Sequence, residues 1–337
     1  MANDNLIIVI PMGGLGTRLR PHTWSKPKQL VSVAGKAVLG HVLDTFASVP
    51  NPDKIELVNI VGHLGEQVEA YMRDNYPHLR AHFIVQENPR GQSHAIHLER
   101  QYLTGPMLMV FPDTLIKTDL SFLSGEKADI VAWVKEVPDP RRFGVAELGQ
   151  DGWVKRLIEK PQEMSNNLAL VGFYYFKSSE ALISAIEEQI QLDIQLKGEF
   201  YLVDAVNIML ERGLKMRIER VDVWLDAGTP QALLETNEYL LKHGCGNYIG
   251  GGEEKSLIVI PPVFIHPDAQ LHKCVIGPHV SIGAGCVVQS SIIRNSILEE
   301  GAQVTDMILE NSLIGRQAQI RKRAGEVNAG DHTMLTL

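Results

Sequence analysis

Apolar residues recur six positions apart late in the chain, at Ile276, Ile282 and Val288, and again at Ile308, Ile314 and Ile320, the second series displaced by two residues. A helix needs apolar residues three and four apart, and a half-buried strand needs every second one, so neither explains the spacing. A solenoid of short stacked strands does, because each of its sides turns one apolar residue inward per repeat. The stretch from about 260 to 322 suffices for three or four coils of a parallel β-helix. Ile276, Ile282, Ile308 and Ile314 are expected to fill its interior, with Cys274 and Cys286 as small core residues. His266, His272 and His279 sit in no recognisable site and are expected at the surface.

The first 242 residues follow another pattern. Apolar runs at 6–10, 56–61, 81–86 and 106–111 alternate with amphipathic stretches at 36–48, 64–76 and 92–102. Strand and helix in alternation argue a doubly wound, mostly parallel sheet. Ligands bind such sheets beyond the carboxyl ends of the strands. Three loops fall there: the glycine-rich turn at residues 13–16, the loop from Gln86 to Gly91, and Asp113. They are expected to share one crevice. From residue 129 strands crowd together, at 130–137, 143–148, 154–159 and 168–176, as an inserted mixed region of the same domain. Helices at 179–189 and 200–212, strands at 215–220 and 223–225, and a helix at 231–242 capped by Thr229 complete it. Residues 243–256, rich in glycine, read as a linker between a domain at 1–242 and a second at 257–337. Residues 321–337 carry no pattern and are read as a docking tail or a partly disordered one.

Composition narrows the classes of function. The 337 residues carry a net charge of −8, which argues against a broad nucleic-acid surface. Three cysteines fit neither a zinc motif nor a complete disulfide set. No apolar run reaches the eighteen or so residues of a spanning helix, and the first residues lack the basic start of a signal peptide. The expectation is a cytoplasmic protein without a membrane partner.

The turn after the first strand carries the chemistry. Gly13, Gly14 and Gly16 let backbone approach a ligand closely, and Arg18, Arg20, Lys26 and Lys28 follow. Backbone N–H groups and cations gathered at a strand end suit a polyphosphate. Gly-Gly-Leu-Gly-Thr-Arg-Leu at 13–19, with Pro27-Lys28 and a hydrophobic run beyond, resembles the signature of the sugar-1-phosphate nucleotidylyltransferases. Trp224-Leu225-Asp226-Ala227-Gly228-Thr229, Ile158-Glu159-Lys160-Pro161, Arg142-Phe143-Gly144-Val145 and the stretch from Asn166 to Phe176 resemble further motifs of that family. The likeness covers about residues 5–242 well, and the solenoid at the level of its repeat, which is similar to the left-handed β-helix appended to several members.

The resemblance implies that an oxygen of a sugar-1-phosphate attacks the α-phosphorus of a nucleoside triphosphate and expels pyrophosphate. Such a reaction needs no protein nucleophile, so cations, metal and positioning must supply catalysis. By the same resemblance Asp113 and Asp226 hold Mg2+, Arg18 holds the departing pyrophosphate, and Lys28 stabilises charge at the reacting phosphoryl group. Gly13, Gly14, Gly16 and Thr17 cradle the nucleotide. Glu159 accepts hydrogen bonds from sugar hydroxyls, Lys160 and Lys197 pair with the sugar phosphate, and Gly144 and Gly172 admit the sugar. Arg20 and Lys26 are read as solvated charges. Phe143 stands where the family usually has Tyr, so any hydroxyl contact there is lost.

Gln29, Gln86 and Gly91 resemble the base loop of the thymidylyltransferases, and a Gln amide can donate and accept together, as one edge of thymine or uracil requires. dTTP is therefore the first expectation, and the resemblance alone implies glucose-1-phosphate as the sugar substrate. Guanylyl, uridylyl or adenylyl transfer, and a catalytically silent regulatory subunit, are the alternatives. An acyltransferase in the solenoid is disfavoured for want of a His motif. The solenoid is instead expected to assemble a homo-oligomer, a trimer or tetramer, and nucleotidyl transfer is expected to survive its deletion in part.

Overall fold

A computed structural model describes residues 5–247 and 256–322. The chain forms two compact units: residues 1–31 with 36–236, and Ser32–Gly35 with residues 237–337. Most of the linker expected at 243–256, and nearly all of the tail, lie outside the described residues.

The first unit is built on a nine-stranded mixed sheet. Its parallel half comprises β1 (Ile7–Met12), β2 (Glu56–Val61), β3 (Arg80–Val85) and β4 (Met107–Val110). β1 lies between β2 and β4, and β3 pairs with β2, all parallel. Ile7, Ile8, Val9 and Ile10 are 0–1% exposed, which is why four consecutive apolar residues form this strand rather than an alternating one. The later strands join the same sheet: β6 (Ile130–Glu136), β7 (Gly144–Leu148), β8 (Val154–Glu159), β9 (Leu168–Phe176) and β10 (Met216–Arg220). β9 pairs antiparallel with β4, β6 and β7, so half of the sheet departs from the parallel pattern. A separate ribbon pairs β5 (Thr114–Ile116) antiparallel with β11 (Trp224–Asp226). The helices are α1 (Val38–Asp44), α2 (Gly65–Asn75), α3 (Gln92–Leu98), α4 (Ser179–Gln191), α5 (Leu202–Glu211) and α6 (Pro230–Leu240). Thr229 caps α6 as expected, its hydroxyl accepting from the Ala232 N–H at 3.2 Å.

One buried group in this unit has no counterion. Glu99, just past α3, is 0% exposed, and neither carboxyl oxygen has a hydrogen-bond partner. Burial alone pushes its pKa up to about 8. Because the folded value lies above the ordinary 4.5, the folded chain keeps a proton that the unfolded chain releases as pH rises from 4.5 to 8. Stability is therefore lost across that window and the loss is complete above it. Glu99→Gln is expected to melt near wild type at pH 4.5 and to be more stable at pH 8.5, with a ceiling of roughly 4 kcal/mol. Urea melts at both pH values check this; a difference that does not change with pH would rule out the titration.

The second unit contains a parallel β-helix. Three stacks of parallel strands form its sides, for example Leu257–Val259, Cys274–Ile276, Ile292–Arg294 and Ile308–Glu310 in one stack. Ile276, Ile282, Val288, Ile293, Leu298 and Val304 are 0–1% exposed inside it, and Cys274 and Cys286 are buried beside them. The six-residue period does not persist. Val275 stacks on Ile292, and Ile292 on Ile308, so one coil takes 17 residues and the next 16. The shortened sides move the phase. Leu309 turns toward the interior, and Ile308, expected inside, is instead 78% exposed.

Candidate active site

The turn after β1 and the segment after β3 meet. Gln86 packs so closely on Gly13 that a Cβ there would lie 2.6 Å from the Gln86 Oε1. Gln29 is 1% exposed, its amide nitrogen reaches the Met12 carbonyl at 3.4 Å, and its oxygen has no partner. The two glutamines thus converge on the residues that end β1. The Gly91 loop is stitched to the start of α5, since the Phe200 N–H donates to the Arg90 carbonyl at 2.9 Å and the Ser93 N–H to the Phe200 carbonyl at 3.1 Å. Gly14 is exposed with open space beside it, and Thr17 opens a short 3-10 turn that carries Arg18.

The ribbon of β5 and β11 brings the two acidic residues together. Asp226 lies opposite Thr114, and the Ala227 N–H donates to the Asp113 carbonyl at 2.9 Å. Neighbours around the Asp226 carboxyl withdraw it from water, and the like charge of Asp113 adds to this; both hold its pKa above the usual range. The Gly228 N–H and the charges of Arg18 and Lys28 act in the opposite sense. Lys28 Nζ pairs with Asp113 Oδ2 at 2.5 Å. The Arg18 guanidinium lies beside Gly228, where a Cβ would come within 2.9 Å of it.

From this cluster a cavity of about 380 Å3 runs along the sheet. Arg18, Asp113, Asp226, Gly144, Glu159 and Lys160 all line it. Glu159 and Lys160 follow from β8, whose pairing with β7 sets Glu159 opposite Gly144. Burial holds the Glu159 carboxyl above its usual range, against the pull of Lys160 3.4 Å away. Lys160 donates to the Tyr201 hydroxyl at 3.1 Å and lies over its ring; that hydrogen bond first, and the Glu159 charge after it, strengthen its hold on the proton. Gly172 interrupts β9 with φ +84, where the strand register shifts. A Cβ there would strike the Phe111 ring at 2.4 Å, and Phe111 is a cavity wall, so Gly172 acts behind the lining. Phe143 packs edge-on against Trp224 at 5.0 Å, forming apolar wall where the family's Tyr would present a hydroxyl.

Two expectations need correction. Lys197 is exposed on the turn before Phe200, in left-handed backbone, and does not line the cavity. Lys26, read as a solvated charge, is only 8% exposed, whereas Arg20 is exposed and stacks 4.0 Å over Trp24. Sequence reasoning also passed over Tyr201 and Gln92, both in the lining. Tyr201 stands two residues after the Gly198-Glu199 pair, and that proximity was the available signal.

Mg2+ fits the donor set. The Asp113 charge raises the cost of ionising Asp226, which a hard divalent cation relieves. No group of three or more His, Cys, Asp or Glu among the described residues could cage a metal, so a cation here would draw its other ligands from phosphate and water. No helix among the described residues is long and apolar enough to cross a membrane.

The nucleotidyl transferase family model matches residues 7–243, and that of the GMPPB C-terminal domain residues 259–329. The chain is 33% identical to a low-salt glycan biosynthesis nucleotidyltransferase of Haloferax volcanii over 93% of each chain. It is 29% identical to a glucose-1-phosphate thymidylyltransferase of Streptomyces griseus, over 95% of this chain and 96% of that one. A UDP-glucose pyrophosphorylase crystallised with UDP-glucose shares the fold, with a TM-score of 0.61 at 18% identity over 70% of this chain and 98% of that one. The chain belongs to the nucleotidyl transferase family, among its sugar-1-phosphate nucleotidylyltransferases.

Proposed function

We propose that the chain transfers the thymidylyl group of dTTP to glucose-1-phosphate. The observation that carries the site assignment is the convergence of Asp113 and Asp226 at the end of one ribbon, flanked by Lys28 and Arg18, at one end of the cavity that holds Glu159 and Lys160. A sugar phosphate held by Lys160 directs an oxygen at the α-phosphorus. A new P–O bond forms there, the bond to the bridging oxygen breaks, and that oxygen leaves with pyrophosphate. Arg18 neutralises the departing oxygens with a planar fork, and Lys28 the charge on the phosphoryl group. Mg2+, held by Asp113 and Asp226, supplies Lewis-acid neutralisation of phosphate oxygens when bound. Glu159 orients the sugar by accepting from its hydroxyls. The thymine preference is supported by the convergence of Gln29 and Gln86 on the end of β1, and by the likeness to the Streptomyces enzyme. The test is pyrophosphate release with Mg2+ for five nucleoside triphosphates against several sugar-1-phosphates. dTTP with glucose-1-phosphate is expected to lead; another leading pair would replace it.

The β-helix supports assembly of a homo-oligomer. One side stacks Ile258, Val275, Ile292 and Ile308 outward in register, with Ile258 59% and Ile308 78% exposed. Another side turns Gln270, Gln303 and Gln319 outward. A second copy suits the apolar ladder, because its own rungs repeat at the same spacing, and charges of both signs, Lys273 and Arg294 with Asp306 and Glu310, flank it. Ile308→Lys is expected to lower the oligomeric state in light scattering without unfolding the chain, since the residue is already exposed. An unchanged state would remove this side from the interface.

A further inference from the structure

The segment that leaves β3 at Gln86 returns through Gly91 into α3, and this brings the Gln86 amide against the ring of His94. Gln86 Nε2 lies 3.4 Å from His94 Nδ1. Both residues are held from behind. The Gln86 N–H donates to the Val61 carbonyl at the end of β2, at 2.8 Å. Ser93, next to His94 and 0% exposed, donates its N–H to the Phe200 carbonyl and its hydroxyl to the Tyr201 carbonyl, each at 3.1 Å. Gln86 is itself only 7% exposed, so its amide has little room to move. All of these residues belong to the first unit.

An amide –NH2 group only donates, so the ring nitrogen it meets must be bare. His94 is therefore neutral, with its proton on Nε2. The same contact decides which way the amide points, since the two ends of an amide are told apart by the hydrogen bonds they make. The nitrogen faces His94, and Oε1 lies beside Gly13 at the start of the glycine turn, where a Cβ would be 2.6 Å from it. The surroundings favour the neutral ring. Burial first, then the charges of Arg90 and His97, hold the His94 pKa below the usual histidine value. Arg90 comes from the loop before α3 and His97 from α3 itself; α4 contributes Glu187, whose Oε1 lies 3.5 Å from His97 Nε2.

We propose that His94 is a positioning residue: its bare Nδ1 turns the Gln86 carbonyl toward the nucleotide, which selects bases that carry a ring N–H over bases with a bare ring nitrogen at the same edge. Thymine, uracil and guanine are of the first kind, cytosine and adenine of the second. This rests on the base-reading role given above to Gln86. A carbonyl accepts from a ring N–H, whereas it meets a bare ring nitrogen as one acceptor meets another, and a buried acceptor left unpaired is costly. A proton on His94 Nδ1 would make that nitrogen a donor. The amide would then turn over to accept from it, and its –NH2 would face the base instead.

The test follows kcat/KM for dTTP divided by kcat/KM for 5-methyl-dCTP, which differs from dTTP only at the edge being read. Ionisation of the triphosphate is common to both and cancels in the ratio. In the full-length chain His94→Leu, which offers no acceptor, is expected to lower the ratio by about tenfold or more. His94→Asn, whose Oδ1 can stand in for the bare nitrogen, is expected to restore it. Between about pH 8 and pH 5.5 the wild-type ratio should fall as His94 gains its proton, and the ratio in His94→Asn should stay level. A wild-type ratio in folded His94→Leu would overturn the proposal, as would a pH response of equal size in His94→Asn, a comparison that holds even if His94→Leu does not fold. Gln86→Leu is run alongside. An unchanged nucleotide profile there would sink the role given to Gln86 and the proposal with it, whereas a relaxed profile beside a wild-type ratio in His94→Leu sinks the proposal alone. If GTP or UTP led the panel of triphosphates, the dTTP reading would be replaced and this proposal supported; ATP or CTP in the lead would overturn both.

Discussion

Asp113→Ala and Asp226→Ala are each expected to lower kcat by about a thousandfold or more, a loss on the order of 4 kcal/mol of transition-state stabilisation. Neither substitution is expected to unfold the chain. Asp226 lines the cavity rather than the core, and its carboxyl accepts from the Gly228 N–H two residues on. Asp113 pairs with Lys28, whose ammonium keeps access to water when the partner is removed. Circular dichroism of both variants should therefore match wild type while pyrophosphate release collapses. The Mg2+ concentration for half-maximal rate should rise in any residual activity. A folded variant that turns over at near-normal rate would exclude its aspartate from the catalytic centre.

Lys160→Met should act on the other substrate. Its ammonium lines the cavity beside Glu159 and is fixed by the Tyr201 hydroxyl, so it meets a phosphate already oriented. Loss of a charge-assisted hydrogen bond of this kind costs roughly 1.5–3 kcal/mol. The KM for the sugar-1-phosphate should rise by up to about a hundredfold, while the KM for the nucleoside triphosphate stays close to wild type. Met keeps the length of the side chain and most of its contact with the Tyr201 ring, so the fold should hold. A change in nucleotide affinity with none for the sugar phosphate would reverse the assignment of the two ends of the cavity.

The second half of the first unit shows how far pattern reading carries. The strands at Ile130–Glu136 and Leu168–Phe176 were visible as apolar runs, but their partners were not. A strand of nine residues can pair along either edge. Leu168–Phe176 does so with three others, shifting register at Gly172 to reach them, and that shift is what shapes the cavity wall at Phe111. Tyr201 escaped notice for a similar reason. Its one local signal is the nearby Gly198-Glu199, and the contact with Lys160 exists only once the end of β8 and the start of α5 come together.

By itself the sequence determined what short-range chemistry dictates. The alternation of strand and helix, the glycine turn with its cations, the two aspartates after apolar runs and the six-residue period each depend on neighbours within a few positions, so each was legible. The tertiary structure decided whatever depends on how one segment closes on another far along the chain. Coils of 17 and 16 residues put Ile308 outside and Leu309 inside, because corners, not the average repeat, set the phase of each side. It placed Lys197 away from the cavity, since a turn can point a side chain either way at little local cost. It also gave Ser32–Gly35 to the second unit, because a Glu, an Asn and a Phe from more than 200 residues later satisfy those backbone groups and that glycine surface. No local propensity encodes a partner at that separation; only the closed fold brings donor and acceptor within reach.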